Sequence, residues 1–216
     1  MPVRVRPGDM LGLVDVQPTF MPGGELPVPG GDDVIPVLNR LLAGPFRHAF
    51  ATQDWHPPGH LSFASAHPGA APFQTTELSY GVQTLWPDHA LQGSSNAALH
   101  PGLDTRRVEL IIRKGFRREI DSYSAFREND RATVTGLHAW LQARDVTRVF
   151  LGGLALDFCV AWSAEDAVPL GYEVVVIVDA CRGIDMPGEG GGSVAVALER
   201  LRQLGVSLVS ADEISG

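Results

Sequence analysis

Val146-Thr147-Arg148-Val149-Phe150-Leu151-Gly152, the turn Gly153-Leu154-Ala155-Leu156-Asp157 and a helix-compatible run from Phe158 to Leu170 form a strand, a turn and a helix in direct succession. The unit recurs on either side. Upstream, Met10 to Val16 is a Leu- and Val-rich buried strand stopped by Pro18. Asp32 and Asp33 then offer N-caps to a helix with Val34, Leu38, Leu41 and Leu42 on one face, Pro36 in its first turn and Gly44 at its end. Arg47 to Gln53 is a second strand, stopping at Asp54, and Val108 to Arg113 a third, halted by Lys114-Gly115. A helix is predicted from about Ala132 to Arg144, where Leu137 and Leu141 are i,i+4 partners. Downstream come the strand Glu173 to Val178, a helix Ser193 to Leu204 and a short strand Val206 to Val209. Pro169 is expected to end its helix early.

Strands separated by helix-length crossovers pair in parallel. The expected fold is therefore α/β, a three-layer α/β/α sandwich around a central, mostly parallel sheet of about six strands. With 216 residues, 44% of them hydrophobic, one domain over 1–216 is expected. Residues 57–105, rich in Pro, Gly, Ser and His, form a long loop excursion of the kind that carries function. Gly188 to Gly192 matches no dinucleotide fingerprint and reads as a flexible loop.

A net charge of −8 disfavours nucleic acid as a partner. No apolar run reaches the roughly 18–20 residues that span a bilayer, so no membrane partner and a cytoplasmic location are expected. The two cysteines, Cys159 and Cys181, are expected to be reduced thiols, Cys181 a structural one.

In open α/β sheets, ligands bind beyond the carboxyl ends of the strands. Asp15, Asp54 and Lys114 stand at three such ends, and Cys159 follows the fourth strand across its turn. Lys114 is also the one lysine among 17 basic residues, a place where a compact ammonium is required. Cys159 at the opening of a helix, near Lys114, is expected to be a thiolate nucleophile, with Asp157 capping the helix. Asp15 would shuttle its proton, and the amides of Ala155 and Cys159 would form an oxyanion hole: an apparatus for acyl transfer without histidine. Asp54 and His56, at i and i+2 of an extended segment, point to one side and can grip one divalent ion with His89; Zn²⁺, Mn²⁺ and Fe²⁺ all suit these donors. His60 is a further candidate, direct or in the outer layer, whereas His48, His67, His100 and His138 are read as non-ligands. Phe20 and Trp86 are placed to flank a flat ring.

The stretches Leu13-Val14-Asp15-Val16-Gln17, Gln53-Asp54-Trp55-His56-Pro57, His60-Leu61-Ser62-Phe63-Ala64, Leu85-Trp86-Pro87-Asp88-His89, Arg113-Lys114-Gly115, Asp121-Ser122-Tyr123-Ser124-Ala125-Phe126 and Gly153 to Val160 span most of the chain. Together they resemble the nicotinamidases, also called pyrazinamidases, of the isochorismatase-like cysteine hydrolase superfamily. The resemblance implies a triad of Asp15, Lys114 and Cys159, a metal at Asp54, His56 and His89, and a cis peptide at Leu154–Ala155. It also implies deamidation of nicotinamide through a thioester on Cys159, in NAD salvage, with the metal receiving the ring nitrogen and a homo-oligomer possible. Where the family commonly has Asn-Asp this chain has Pro18-Thr19, a departure that bears on loop geometry and on the tuning of Asp15; Ala90 and Leu156 replace a common Cys and Thr. The rival reading is a metal-free cysteine hydrolase of the superfamily acting on a carbamoyl or ureido compound. A non-catalytic metal-binding protein on the same fold is a second.

Overall fold

The computed structural model describes residues 2–188 and 190–216; Glu189, within the Gly188 to Gly192 loop, lies outside them. Six strands form one sheet: β1 (Met10–Val14), β2 (Ala49–Asp54), β3 (Val108–Lys114), β4 (Arg148–Leu154), β5 (Glu173–Arg182) and β6 (Ser207–Val209). Every neighbouring pair is parallel, in the order β3-β2-β1-β4-β5-β6. The helices are α1 (Val34–Ala43), α2 (Leu137–Gln142), α3 (Ala161–Ala167) and α4 (Ser193–Gln203). The strand order reverses between β1 and β4, and right-handed crossovers then place α1 on one face and α3 and α4 on the other. Such a reversal opens a crevice beyond the carboxyl ends of the two strands.

β1 and β4 are buried along their whole length because helices cover both faces, whereas β3, at the edge, alternates and leaves Ile111 exposed. Phe46 and Phe150 meet edge-to-face at 4.9 Å within this core. At the reversal, Gly153 (φ +127°) brings β4 so close to β1 that a Cβ there would lie 2.0 Å from the Val14 carbonyl oxygen. Gly153→Ala is therefore expected to destabilise the protein by about 3 kcal/mol or more; urea unfolding of the variant checks this.

The structure revises several predicted boundaries. The helix expected over 132–144 is cut to Leu137–Gln142. Asp130 holds the amides of Ala132 and Thr133 in a side-chain turn, and Gly136 at φ +96° stops the helix at its start. The run from Phe158 divides into a π-helical turn, Leu156–Val160, and α3, which ends two residues before Pro169. Neither aspartate caps α1 through its side chain, and Asp33 binds Arg182 instead. The 57–105 excursion has its own small hairpin, Thr75–Leu78 with Gly81–Thr84. Val3–Arg4 pairs in parallel with Ile214–Ser215. No described helix is long and apolar enough to cross a membrane.

Candidate active site

Three strand ends supply a buried charged cluster. Asp15 follows β1 with φ +47°, so its carboxylate turns towards β2, where the Thr52 hydroxyl donates to Oδ1 at 2.5 Å and accepts the Asp15 amide at 3.0 Å. Lys114, the last residue of β3, is fully buried; its ammonium lies 2.7 Å from Asp15 Oδ2, pairs with Asp54 Oδ1 and donates to the Ser122 carbonyl at 3.1 Å. The same ammonium stands 3.3 Å from Cys159 Sγ. The strand-end rule thus brings together all three residues predicted from it. Although ion-paired, Asp15 Oδ2 accepts no well-aligned hydrogen bond. A lone pair remains free for a proton.

The surroundings of Cys159 work against the expected thiolate. Burial pushes its thiol well above the ordinary range; Lys114 pulls it down, and the carboxylates of Asp15 and Asp54 push it further up. Desolvation and two anions outweigh a helix-end dipole, and Cys159 lies in a π-turn instead of the first turn of an α-helix. Burial also raises Asp15 against the pull of Lys114, while Lys114 itself is disfavoured by burial and lifted well above its usual range by Asp15 and Asp54. In metal-free protein, Cys159 is expected to react with iodoacetamide more slowly than an ordinary thiol at pH 7.5, the rate rising beyond pH 9.0. Mass spectrometry of the site across pH measures this, and fast alkylation at neutral pH would show that the pull of Lys114 outweighs burial.

Asp54 turns its other oxygen towards the histidines. His56 Nε2 and His89 Nε2 each lie 3.6 Å from Asp54 Oδ2, too long for hydrogen bonds. Two donors each roughly 2.0–2.1 Å from a tetrahedral ion stand about 3.3–3.5 Å apart, so the spacing suits a shared ion. The imidazoles are also oriented for it: Nδ1 of His56 donates to the Gly115 carbonyl and Nδ1 of His89 to that of Pro87, both at 2.8 Å, leaving both Nε2 lone pairs free. The three predicted ligands fit a divalent metal. Gly115 permits this approach, since a Cβ there would lie 2.3 Å from the His56 ring. His60, 4.5 Å from His56 between ring centroids, is poorly placed to join: its Nδ1 takes the Ser62 amide at 3.1 Å and its Nε2 faces the Ile120 carbonyl at 3.3 Å.

Cys159, Ala155, Asp54, His56 and His89 line one cavity with Phe20 and Trp86. The cavity is narrow, and Leu26 and Ile184 complete its wall. Phe20 meets His89 edge-to-face at 5.6 Å, and the Trp86 indole N–H donates to the Tyr123 hydroxyl at 3.1 Å. The Leu154–Ala155 peptide is cis, as the resemblance implied. A larger hollow, about 800 Å³, lies across the molecule near Arg148, whose guanidinium is already taken by Asp9 and Glu173.

Sequence reading missed the supporting residues. Gln17 clamps the backbone of Asp54 from both sides, its Oε1 accepting the amide at 2.8 Å and its Nε2 donating to the carbonyl at 2.9 Å. Asp157 does not cap its own helix; its carboxylate takes the amides of Ile184 and Asp185 and the Ser193 hydroxyl, tying the nucleophile turn to the chain beyond β5. Pro18-Thr19 contributes no hydrogen bond to Asp15, and the Thr19 hydroxyl accepts the Ala90 amide beside His89. Buried polar residues next to Asp-x-Gln and the nucleophile turn were the available signal. Their partners lie up to 80 residues away.

Residues 9–213 match the Isochorismatase domain family. The chain is 50% identical to the nicotinamidase of Acinetobacter baylyi over 94% of its own length and 92% of that protein's. A solved nicotinamidase/pyrazinamidase of Acinetobacter baumanii is 48% identical, with a TM-score of 0.91 over 95% of this chain and 97% of that one. The pyrazinamidase of Pyrococcus horikoshii, solved in complex with zinc, is 32% identical with a TM-score of 0.74 over 94% and 99% of the two chains.

Proposed function

The chain belongs to the isochorismatase family, and from that premise we propose that it is a cysteine amidohydrolase converting nicotinamide to nicotinate and ammonia, and pyrazinamide to pyrazinoate. The observation that carries this reading is the double use of Asp54: one oxygen pairs with the Lys114 of the triad, the other faces His56 and His89, so nucleophile and metal ligands share one cavity.

In the reaction, Cys159 sulfur attacks the carboxamide carbon and forms a C–S bond while its proton passes to Asp15. Lys114, within reach of both, holds the negative charge as it moves from carboxylate to sulfur. The amides of Ala155 and Cys159 receive the oxyanion. Asp15 then gives the proton to the departing nitrogen; the C–N bond breaks, ammonia leaves and a thioester remains. Water attacks the thioester, its proton passing through Asp15 back to sulfur as the acid is released.

Phe20 and Trp86 flank the ring and exclude water from it. Asp54, His56 and His89 would hold a divalent metal, which would supply Lewis-acid chemistry for orienting the ring. Zinc is our assignment by likeness to the Pyrococcus horikoshii enzyme, and Mn²⁺ or Fe²⁺ also suits these donors. We assign the protein to NAD salvage and, given its two unpaired cysteines, to the cytoplasm.

The test is ammonia release from nicotinamide by the purified protein, with metal assayed on the same sample. Rapid release with about one ion per chain supports the proposal; no release from nicotinamide or pyrazinamide by metal-loaded protein overturns it.

A further inference from the structure

We propose that Thr19 is a positioning residue of the metal site, its hydroxyl setting the place of His89 relative to His56 and Asp54. The inference rests on the metal reading above and adds a residue that does not touch the ion.

Thr19 is fully buried, and its Oγ1 accepts the amide N–H of Ala90 at 3.1 Å. Ala90 directly follows His89, adopts φ +46° and accepts the His56 amide on its own carbonyl at 3.0 Å. One residue is therefore gripped by Thr19 on its N–H side and by the His56 backbone on its C=O side. The spacing of the two metal-facing imidazoles is set through that peptide.

The other end of the same stretch acts on the third ligand, because Gln17 clamps the Asp54 backbone through its side-chain amide. Pro18 between them opens the 3₁₀ turn Pro18–Phe20, which keeps Thr19 inside and Phe20 on the cavity wall. Gln17-Pro18-Thr19 thus clasps the ligand set at both ends.

A hydroxyl oxygen carries two lone pairs, so Thr19 Oγ1 can serve the Ala90 amide whichever way its own proton points. Removing the oxygen leaves a buried amide without a partner beside a metal ligand.

Metal-free wild type, Thr19→Val, Thr19→Ala and Thr19→Ser are titrated with zinc against a chromophoric chelator, with thermal midpoints recorded alongside. Thr19→Val and Thr19→Ala are expected to bind zinc roughly 10–100-fold more weakly, and Thr19→Ser about as tightly as wild type. Unchanged zinc affinity in Thr19→Val, even with a lowered midpoint, overturns the proposal and leaves the metal reading standing. Should Thr19→Val not fold, unchanged affinity in Thr19→Ala overturns it. A wild type that binds no zinc, Mn²⁺ or Fe²⁺ overturns the metal reading and this inference together.

Discussion

Cys159→Ala is expected to lower kcat for ammonia release by roughly 10⁵-fold or more, leaving the background from binding and oxyanion stabilisation. The sulfur is the one atom placed to form the thioester, 3.3 Å from the Lys114 ammonium. Its removal deletes a small buried side chain, a change of about 1–2 kcal/mol. It leaves Asp54, His56 and His89 in place, so metal content stays near wild type. Activity and metal content measured on one preparation separate a lost nucleophile from a lost fold. Wild-type-like turnover in the variant would remove Cys159 from the mechanism.

Lys114→Met is expected to be damaging in two ways. A fully buried ammonium serves both Asp15 and Asp54, and its loss leaves two buried carboxylates uncompensated, a cost of about 3–5 kcal/mol. It also removes the cation that stabilises negative charge on Asp15 and then on sulfur, worth about 10²–10³ in kcat. Lys114→Arg should not rescue, since a planar guanidinium does not fit where the ammonium meets Asp15, Asp54, Ser122 and Cys159 at once. The pH dependence carries a signature. The Lys114 pKa is raised in the folded protein, so its contribution is fully present below the ordinary 10.5 and is lost as pH rises through the higher folded value. Wild type should therefore lose this part of its stability at strongly alkaline pH, and Lys114→Met should lack that loss. Urea unfolding at several pH values measures it, and a variant as stable and as active as wild type would contradict the assigned role.

Much of this protein is legible in local pattern. The β-α alternation specified a parallel sheet because burying a strand on both faces leaves a signature in the strand itself, as in Met10–Val14. The strand-end rule then selected Asp15, Asp54 and Lys114 without knowledge of strand order, since parallel strands deliver their carboxyl ends to the same edge. The i,i+2 spacing of Asp54 and His56 was equally local.

Tertiary structure decided the remainder. The reversal between β1 and β4 places Asp15 beside the Cys159 turn, and pairing of distant strands is not written in either segment. The direction in which Cys159 is shifted runs against the sequence expectation because desolvation and two neighbouring carboxylates act through space, whereas a helix end is visible in the chain. Thr19 and Gln17 hold the metal ligands through backbone groups of Ala90 and Asp54. Backbone amides are the same at every residue, so the sequence alone carries no mark of which one a buried hydroxyl or carboxamide will bind.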